Sequence, residues 1–229
     1  MAGSETIPII GGTGALGFGL ASSFARAGRP IAIGSREASR AQEAAEKLRA
    51  AVPDCEVEGF DNAEAATKGP IAFLAVPFRA HAETLGNLSE ALQPGQILVD
   101  CTVPLAAAVG GKATRLVGVW QGSAAQQAQE MAPEGVTVVS ALHSVSAKSL
   151  AEGEPLDEDT LVCGDRKADK ARVAELIALI PGLRAVNAGS LEMSRIAESM
   201  TPLLISINAR YKTHSGLRIT GLPDGDHWA

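Results

Sequence analysis

Residues 9–40 read IIGGTGALGFGLASSFARAGRPIAIGSREASR. An apolar run meets Gly12, Gly14 and Gly17 in G-x-G-x-x-G spacing, an Ala- and Leu-rich helical pattern follows, and a second apolar run ends in Gly34, Ser35 and Arg36. With 24 glycines among 229 residues the bare spacing arises easily by chance, so its position carries the information. After a strand and at the start of a helix, each glycine has a use. Gly12 permits a tight turn, Gly14 lets backbone approach a pyrophosphate, and Gly17 lets helix pack closely on strand. Thr13, Ala15 and Leu16 fill the loop, and the helix N-terminus faces the anion with free N–H donors. The competing reading, a glycine-rich turn that binds nothing, leaves the coincidence of strand, glycines and helix without a purpose.

The second run decides which dinucleotide is expected. An NAD site has Asp or Glu at this strand end, where it accepts from the ribose hydroxyls and repels a 2′-phosphate. Here the strand ends in Ser35 and Arg36, with Arg40 one helical turn on. A hydroxyl and two guanidinium groups fit a 2′-phosphate, so NADP is favoured over NAD. The bland alternative is that both arginines are ordinary exposed helix charges.

Outward from this unit the pattern repeats. Strand-like runs at 7–11, 30–34, 56–60, 71–76, 96–101, 136–142, 160–164 and 183–187 alternate with helical spacing at 15–27, 38–51, 79–91, 123–131 and 167–180. A last helix is expected from Leu191 toward Lys212, bent or divided at Pro202. Residues 102–119 read as a loop or short irregular helix, and the terminal GLPDGDHWA as turns. The fold class is therefore α/β, a Rossmann-type doubly wound, mainly parallel sheet with a small C-terminal α/β extension. Ligands in such sheets lie beyond the carboxyl ends of the strands. That puts Val76, Pro77 and Phe78 beside the dinucleotide, and Ala141, His143, Ser144 and Val145 where the nicotinamide reaches. His143 has a bland reading too, as a structural histidine at a strand end. His81 falls on an amphipathic helix, His214 and His227 near the tail, and no metal-ligand spacing joins the four histidines. Ser140, Ser144, Ser146 and Ser149 cluster without a G-x-S-x-G elbow, which leaves a hydrolase triad unsupported.

Composition removes other classes. A net charge of -6 without a basic stripe argues against nucleic acid, and 3% aromatic residues against a stacking platform. No stretch reaches the roughly 18 uncharged apolar residues of a membrane span, and MAGSETIP lacks the features of a signal peptide, so the expected location is the cytoplasm. Cys55, Cys101 and Cys163, odd in number and far apart, read as reduced thiols.

The segments GGTGALG, IGSRE, LAVPF, VVSALHSVSA, VCGD and AESMTPLL, in this order and spacing, resemble the NADPH:F420 oxidoreductase family, from Ile7 to about Leu222. GGTGALG is generic to dinucleotide folds, whereas SALH and the ESxTPL segment are much more specific. The resemblance implies an NADP-binding domain over 1–142 and a smaller domain over 143–229 that completes a cleft, where NADP and the deazaflavin F420 meet face to face for hydride transfer. By position it implies that Thr13, Ser35, Arg36 and Arg40 hold the adenosine phosphate end. His143, Ser144 and Val145 then line the deazaflavin and nicotinamide side, and Ser199 and Thr201 close the site. It also implies a homodimer. The chain departs from the family in HSVSA, where familiar members have HTIPA, and in its extended tail. Both changes bear on the acceptor and not on NADP. The alternatives are thus an NADPH-dependent reductase of a flavin or other small acceptor, or an NADP-sensing protein without turnover.

Overall fold

The computed structural model describes residues 5–223 and 228. Its strands are β1 Ile7–Ile10, β2 Ile31–Ser35, β3 Val57–Asp61, β4 Ile71–Leu74, β5 Ile97–Asp100, β6 Thr137–Ser140, β7 Glu158–Cys163 and β8 Leu183–Gly189. They form one sheet in the order β3-β2-β1-β4-β5-β6-β7-β8. Pairing is parallel from β3 through β6, antiparallel between β6 and β7 through Ser140 and Cys163, and parallel again between β7 and β8. The sheet therefore runs unbroken from the first half into the 158–189 segment.

The long helices are α1 Ala15–Arg26, α2 Ala38–Ala51, α4 Phe78–Leu88, α5 Ala124–Met131, α7 Lys167–Ile177 and α8 Ser194–Tyr211. Each occurs where its spacing is read from sequence. Two short helices, α3 Asn62–Ala66 and α6 Ala147–Glu152, are additional, being too short to display a 3.6-residue period. Residues 102–119 hold a 3-10 turn, Ala106–Val109, and an isolated bridge between Leu105 and Leu116. Helix α8 is continuous through Pro202, whose missing N–H is the one that would reach the Glu198 carbonyl. Of the tail, residues 224–227 and 229 lie outside the described residues, and His227 with them.

Strands β1, β2, β4 and β5 are buried along their whole length because both faces are covered, which is why they read as apolar runs without alternation. On one face Leu20 and Phe24 of α1, Leu48 of α2 and Val173 of α7 build the larger core; on the other, Ala65, Leu85, Leu88 and Ala128 build the second. Phe24 packs against Phe73 of β4 at 5.2 Å between ring centroids, and burying such a side chain contributes about 1.5–3 kcal/mol. Strand β1 has β2 on one side and β4 on the other, and from it the chain winds outward in both directions. The crevice for a ligand opens at that reversal, above the carboxyl ends of β1 and β4.

Candidate functional site

The turn after β1 is fixed by backbone geometry. Gly11 carries the left-handed conformation, φ 75°, one residue before the Gly12 at which the sequence suggests it. A Cβ on Gly12 would press on Ile33 Cγ2 and the Ile9 carbonyl at 3.0 Å, so its constraint is packing. A Cβ on Gly17 would lie 2.6 Å from the Gly11 carbonyl oxygen and 2.8 Å from Gly12 Cα, which is the close helix-to-strand approach expected of it. Gly14 is different: exposed, and with nothing nearer than 3.3 Å to its Cβ position. It is the N-cap of α1, makes no side-chain cap, and is followed by a first turn without an acidic residue. The free N–H groups of α1 are thus unneutralised and uncapped, the electrostatics an anion requires. Asp61 caps α3, Ser123 caps α5 and Ser146 caps α6, whereas α2 and α4 share the open first turn of α1 but do not begin at the glycine turn.

Around this turn lies a cleft of about 900 Å³. Thr13, Gly14 and Ala15 line it from α1, Ser35, Arg36 and Arg40 from the end of β2 and the start of α2, and Val76 and Pro77 from the end of β4. Arg36 and Arg40 are exposed and have no ion-pair partner among the described residues. Lys47, Asn62, Arg79 and Lys148 also line the cleft and escape the sequence reading. Lys47 had a signal, since it follows Arg40 by two helical turns. Asn62 had none: its Oδ1 accepts from the Gly11 N–H at 3.1 Å and so ties α3 to the glycine turn. Leu16, Gly12, Gly17 and Ala141 do not line the cleft; they pack behind it. Phe78 turns away and stacks on His81, 6.0 Å between ring centres.

The expected acceptor residues occupy a second, smaller cavity of about 180 Å³, lined by His143, Ser144, Val145 and Thr201. The Thr201 hydroxyl donates to the His143 carbonyl at 2.9 Å. Ser199 lines neither cavity; its hydroxyl donates to the Arg195 carbonyl on its own helix. The segment after β6 borders both spaces, with His143–Ser146 on the small cavity and Ala147, Lys148 and Ala151 on the large cleft. Leu142 begins that segment. It is fully buried with φ 66°, a left-handed conformation that costs a bulky residue energy, and its N–H is held by Thr160 Oγ1 at 2.8 Å. Burial pushes the His143 imidazole down to about 4 against the opposing field of Asp100, so the ring is neutral near pH 7. Its Nε2 is buried without a partner among the described residues.

Beneath the floor lies a polar network that the sequence does not announce. His81 Nε2 meets Asp100 Oδ2 at 2.8 Å and Nδ1 meets Gln127 Oε1 at 3.1 Å. Asp100 accepts from Nε2–H, and Gln127 is the partner of Nδ1. Burial would lower the His81 pKa, but the Asp100 charge, the hydrogen bonds to Asp100 and Gln127 and the Glu198 charge together raise it. Asp100 Oδ1 accepts the Thr102 N–H at 2.8 Å, and the Thr102 hydroxyl reaches the Val76 carbonyl at 3.4 Å. Glu198, on α8, accepts from the N–H groups of Ala124 and Ala125 at 3.1 and 3.2 Å. Burial, helped by Asp100, lifts that carboxyl to about 8.

A parallel sheet of this order, a glycine turn at its reversal and a bare helix N-terminus define a dinucleotide-binding Rossmann protein. The family described as NADP oxidoreductase, coenzyme F420-dependent, matches residues 6–104. The F420-dependent NADP reductase of Methanothermobacter marburgensis is 40% identical over 223 residues, which are 95% of this chain and 99% of that protein. That of Methanothermobacter thermautotrophicus is 42% identical over 95% of this chain and 96% of its own. The chain belongs to the F420-dependent NADP reductase family, a family of oxidoreductases. Among solved structures, a candidate F420-dependent NADP reductase from an Arthrobacter species shares the fold with a TM-score of 0.77 at 24% identity, covering 96% of this chain and all (100%) of that one. The 3-hydroxyisobutyrate dehydrogenase of Mycobacterium tuberculosis shares it at 0.64 and 15% identity, over 91% of this chain but 62% of the longer one. No helix among the described residues is long and apolar enough to cross a membrane.

Proposed function

We propose that this chain binds NADP(H) in the large cleft and transfers a hydride between it and the deazaflavin coenzyme F420. One observation carries the reading: the uncapped α1 N-terminus at Gly14 and the unpaired cations Arg36 and Arg40 open into the same cleft. Together they match a diphosphate and a 2′-phosphate on one dinucleotide. NADPH, when bound, supplies the hydride. The chain's part is to hold and exclude. The N–H groups of α1 hold the diphosphate, Ser35 and the two arginines hold the 2′-phosphate, and Val76 and Pro77 give that side an apolar flank. A neutral His143 contributes no charge, so its part is to seat the segment that borders both cleft and cavity, with Thr201 holding its carbonyl. Such a reaction depends on positioning rather than on an acid-base pair.

A homodimer belongs to this proposal. On α8, Ile196, Leu203 and Tyr211 are 47%, 52% and 71% exposed, and their spacing keeps them on one side of the helix. A second copy, meeting the first through a two-fold axis, would cover this stripe. The function is tested by mixing the purified protein and NADPH with F420, FMN and a quinone in turn, and following the loss of NADPH absorbance. Oxidation with F420 is the expected result. Tight NADPH binding without oxidation by any acceptor would refute it.

A further inference from the structure

The tail after α8 folds back onto the small cavity through a dense set of bonds. Lys212 ends the helix in the left-handed conformation, φ 51°, and reverses the chain. Asn208 Oδ1 then accepts both the N–H and the hydroxyl of Ser215, at 2.7 and 2.6 Å. Further on, the Leu217 carbonyl accepts the Asp159 N–H at 2.6 Å, and the Ile219 N–H donates to Asp159 Oδ2 at 2.6 Å. Asp159 is itself buried and held by Arg184 through two bonds of 2.8 Å, and Arg184 also donates to the Ile219 carbonyl at 2.7 Å. Between these anchors Gly216 rests on Glu158, where a Cβ would lie 2.5 Å from Glu158 Cβ. The carboxyl of Glu158 in turn accepts the N–H of Ser146, the N-cap of α6. The tail is thus bound to the segment that carries His143–Ser146.

His214 and Ser215, at the middle of this stretch, line the small cavity opposite His143 and Ser144. Among the described residues none after Ala151 lines the large cleft. Size then sets a condition: pockets that take drug-sized ligands measure about 300–1,000 Å³, and this cavity is about 180 Å³. The cavity that His214 and Ser215 help to wall is thus smaller than the pockets that take ligands the size of three fused rings. We propose that residues 212–219 are a strap that closes the acceptor side of the site and opens to admit the acceptor, which makes His214 and Ser215 determinants of what enters. This rests on the reading of the small cavity as the acceptor side.

The variant Gly216→Val tests the strap in the full chain by forcing a side chain against Glu158 while leaving the anchors in place. Asn208→Ala, which frees Ser215, serves as a second route should the first variant fold poorly. Access is read without any acceptor, from the maleimide labelling rate of Ser144→Cys in a Cys55→Ser background; Cys101 and Cys163 are buried. Either strap variant should raise the labelling rate about tenfold or more, since protection reports the open population. The KM for F420 should rise about three- to tenfold while the NADPH Kd stays within about twofold, the split expected of a residue that touches only one substrate. Unchanged labelling in both variants overturns the strap, whatever the activity. Faster labelling in a protein that does not use F420 upholds the strap and removes F420 as its acceptor.

Discussion

Gly14→Val separates binding from folding, because the structure assigns the two glycines of this turn opposite burdens. At Gly14 the added Cβ meets the Gly11 carbonyl at 3.3 Å and the Ala75 carbonyl at 3.8 Å, so no neighbour has to move more than slightly. Its φ and ψ, -77° and 163°, are extended values that valine adopts freely. Losing a glycine from the unfolded chain offsets about 0.4–1 kcal/mol, and the poorer N-cap costs about as much. The melting temperature without ligand should therefore shift by no more than about 4 °C. The cleft side fares otherwise, since the isopropyl group projects where phosphate oxygens must approach the α1 N–H groups. Displacing the diphosphate forfeits charge-assisted hydrogen bonds of about 1.5–3 kcal/mol each. Loss of two of them weakens binding by about 10²–10⁴-fold, equally for NADPH and NADH. Isothermal titration gives both constants, and the melting shift produced by saturating NADPH should vanish in parallel. A folded Gly14→Val protein that binds NADPH like its parent would refute the assignment of the α1 N-terminus as the diphosphate site. The control is Gly17→Ala, whose Cβ would collide with backbone at 2.6 and 2.8 Å; it should lower stability by about 1–3 kcal/mol.

Replacing Arg36 and Arg40 together by Ala should weaken NADPH by about 3 kcal/mol, roughly 150-fold, at low salt, a low-end value because both groups are exposed. NADH should change less than about threefold, and equal losses for the two nucleotides would show that the arginines do not read the 2′-phosphate. Leu203→Glu should convert a dimer to a monomer by light scattering; an unchanged mass would remove the α8 stripe as the interface. Glu198, lifted from 4.5 to about 8, keeps its proton in the folded chain where the unfolded chain loses it. Its stability contribution is complete below about pH 4.5 and is lost as pH rises toward about 8, with a slope of up to about 1.4 kcal/mol per unit. Urea melts from pH 6 to 8.5 should show the decline, and Glu198→Gln should flatten it. His143 acts with the opposite sign: lowered from 6.5 to about 4, it leaves stability intact above pH 6.5 and erodes it as pH falls toward 4.

The strands were legible for a physical reason. Burial on both faces writes β1, β2, β4 and β5 as unbroken apolar runs, and the glycine turn marks the reversal of the sheet between two of them. Strand β7 shows the limit: it begins at Glu158 and Asp159, two acidic residues that the pattern leaves out of the expected 160–164. They belong because partners elsewhere satisfy them, Arg184 for Asp159 and the Ser146 N–H for Glu158. No local signal encodes such distant partners.

The same reason explains why the two sides of the candidate site differ in legibility. A phosphate is recognised by consecutive backbone groups and by cations at a strand end, so the residues proposed for it, Gly14, Ser35, Arg36 and Arg40, sit in one short stretch, and the structure gathers them on one cleft. The small cavity, the proposed acceptor side, is assembled instead from three segments, His143–Ser146, Thr201–Asn208 and His214–Ser215, where Leu142 turns left-handed and Lys212 reverses the chain. Neither residue is a glycine, so nothing in the letters marks either turn. The network under the floor is equally scattered, joining His81, Asp100, Gln127 and Glu198 from four elements. On the proposed reading, dinucleotide recognition is a local property, whereas acceptor recognition is a property of the closed fold. Changes such as HSVSA and the long tail can alter the second without touching the first.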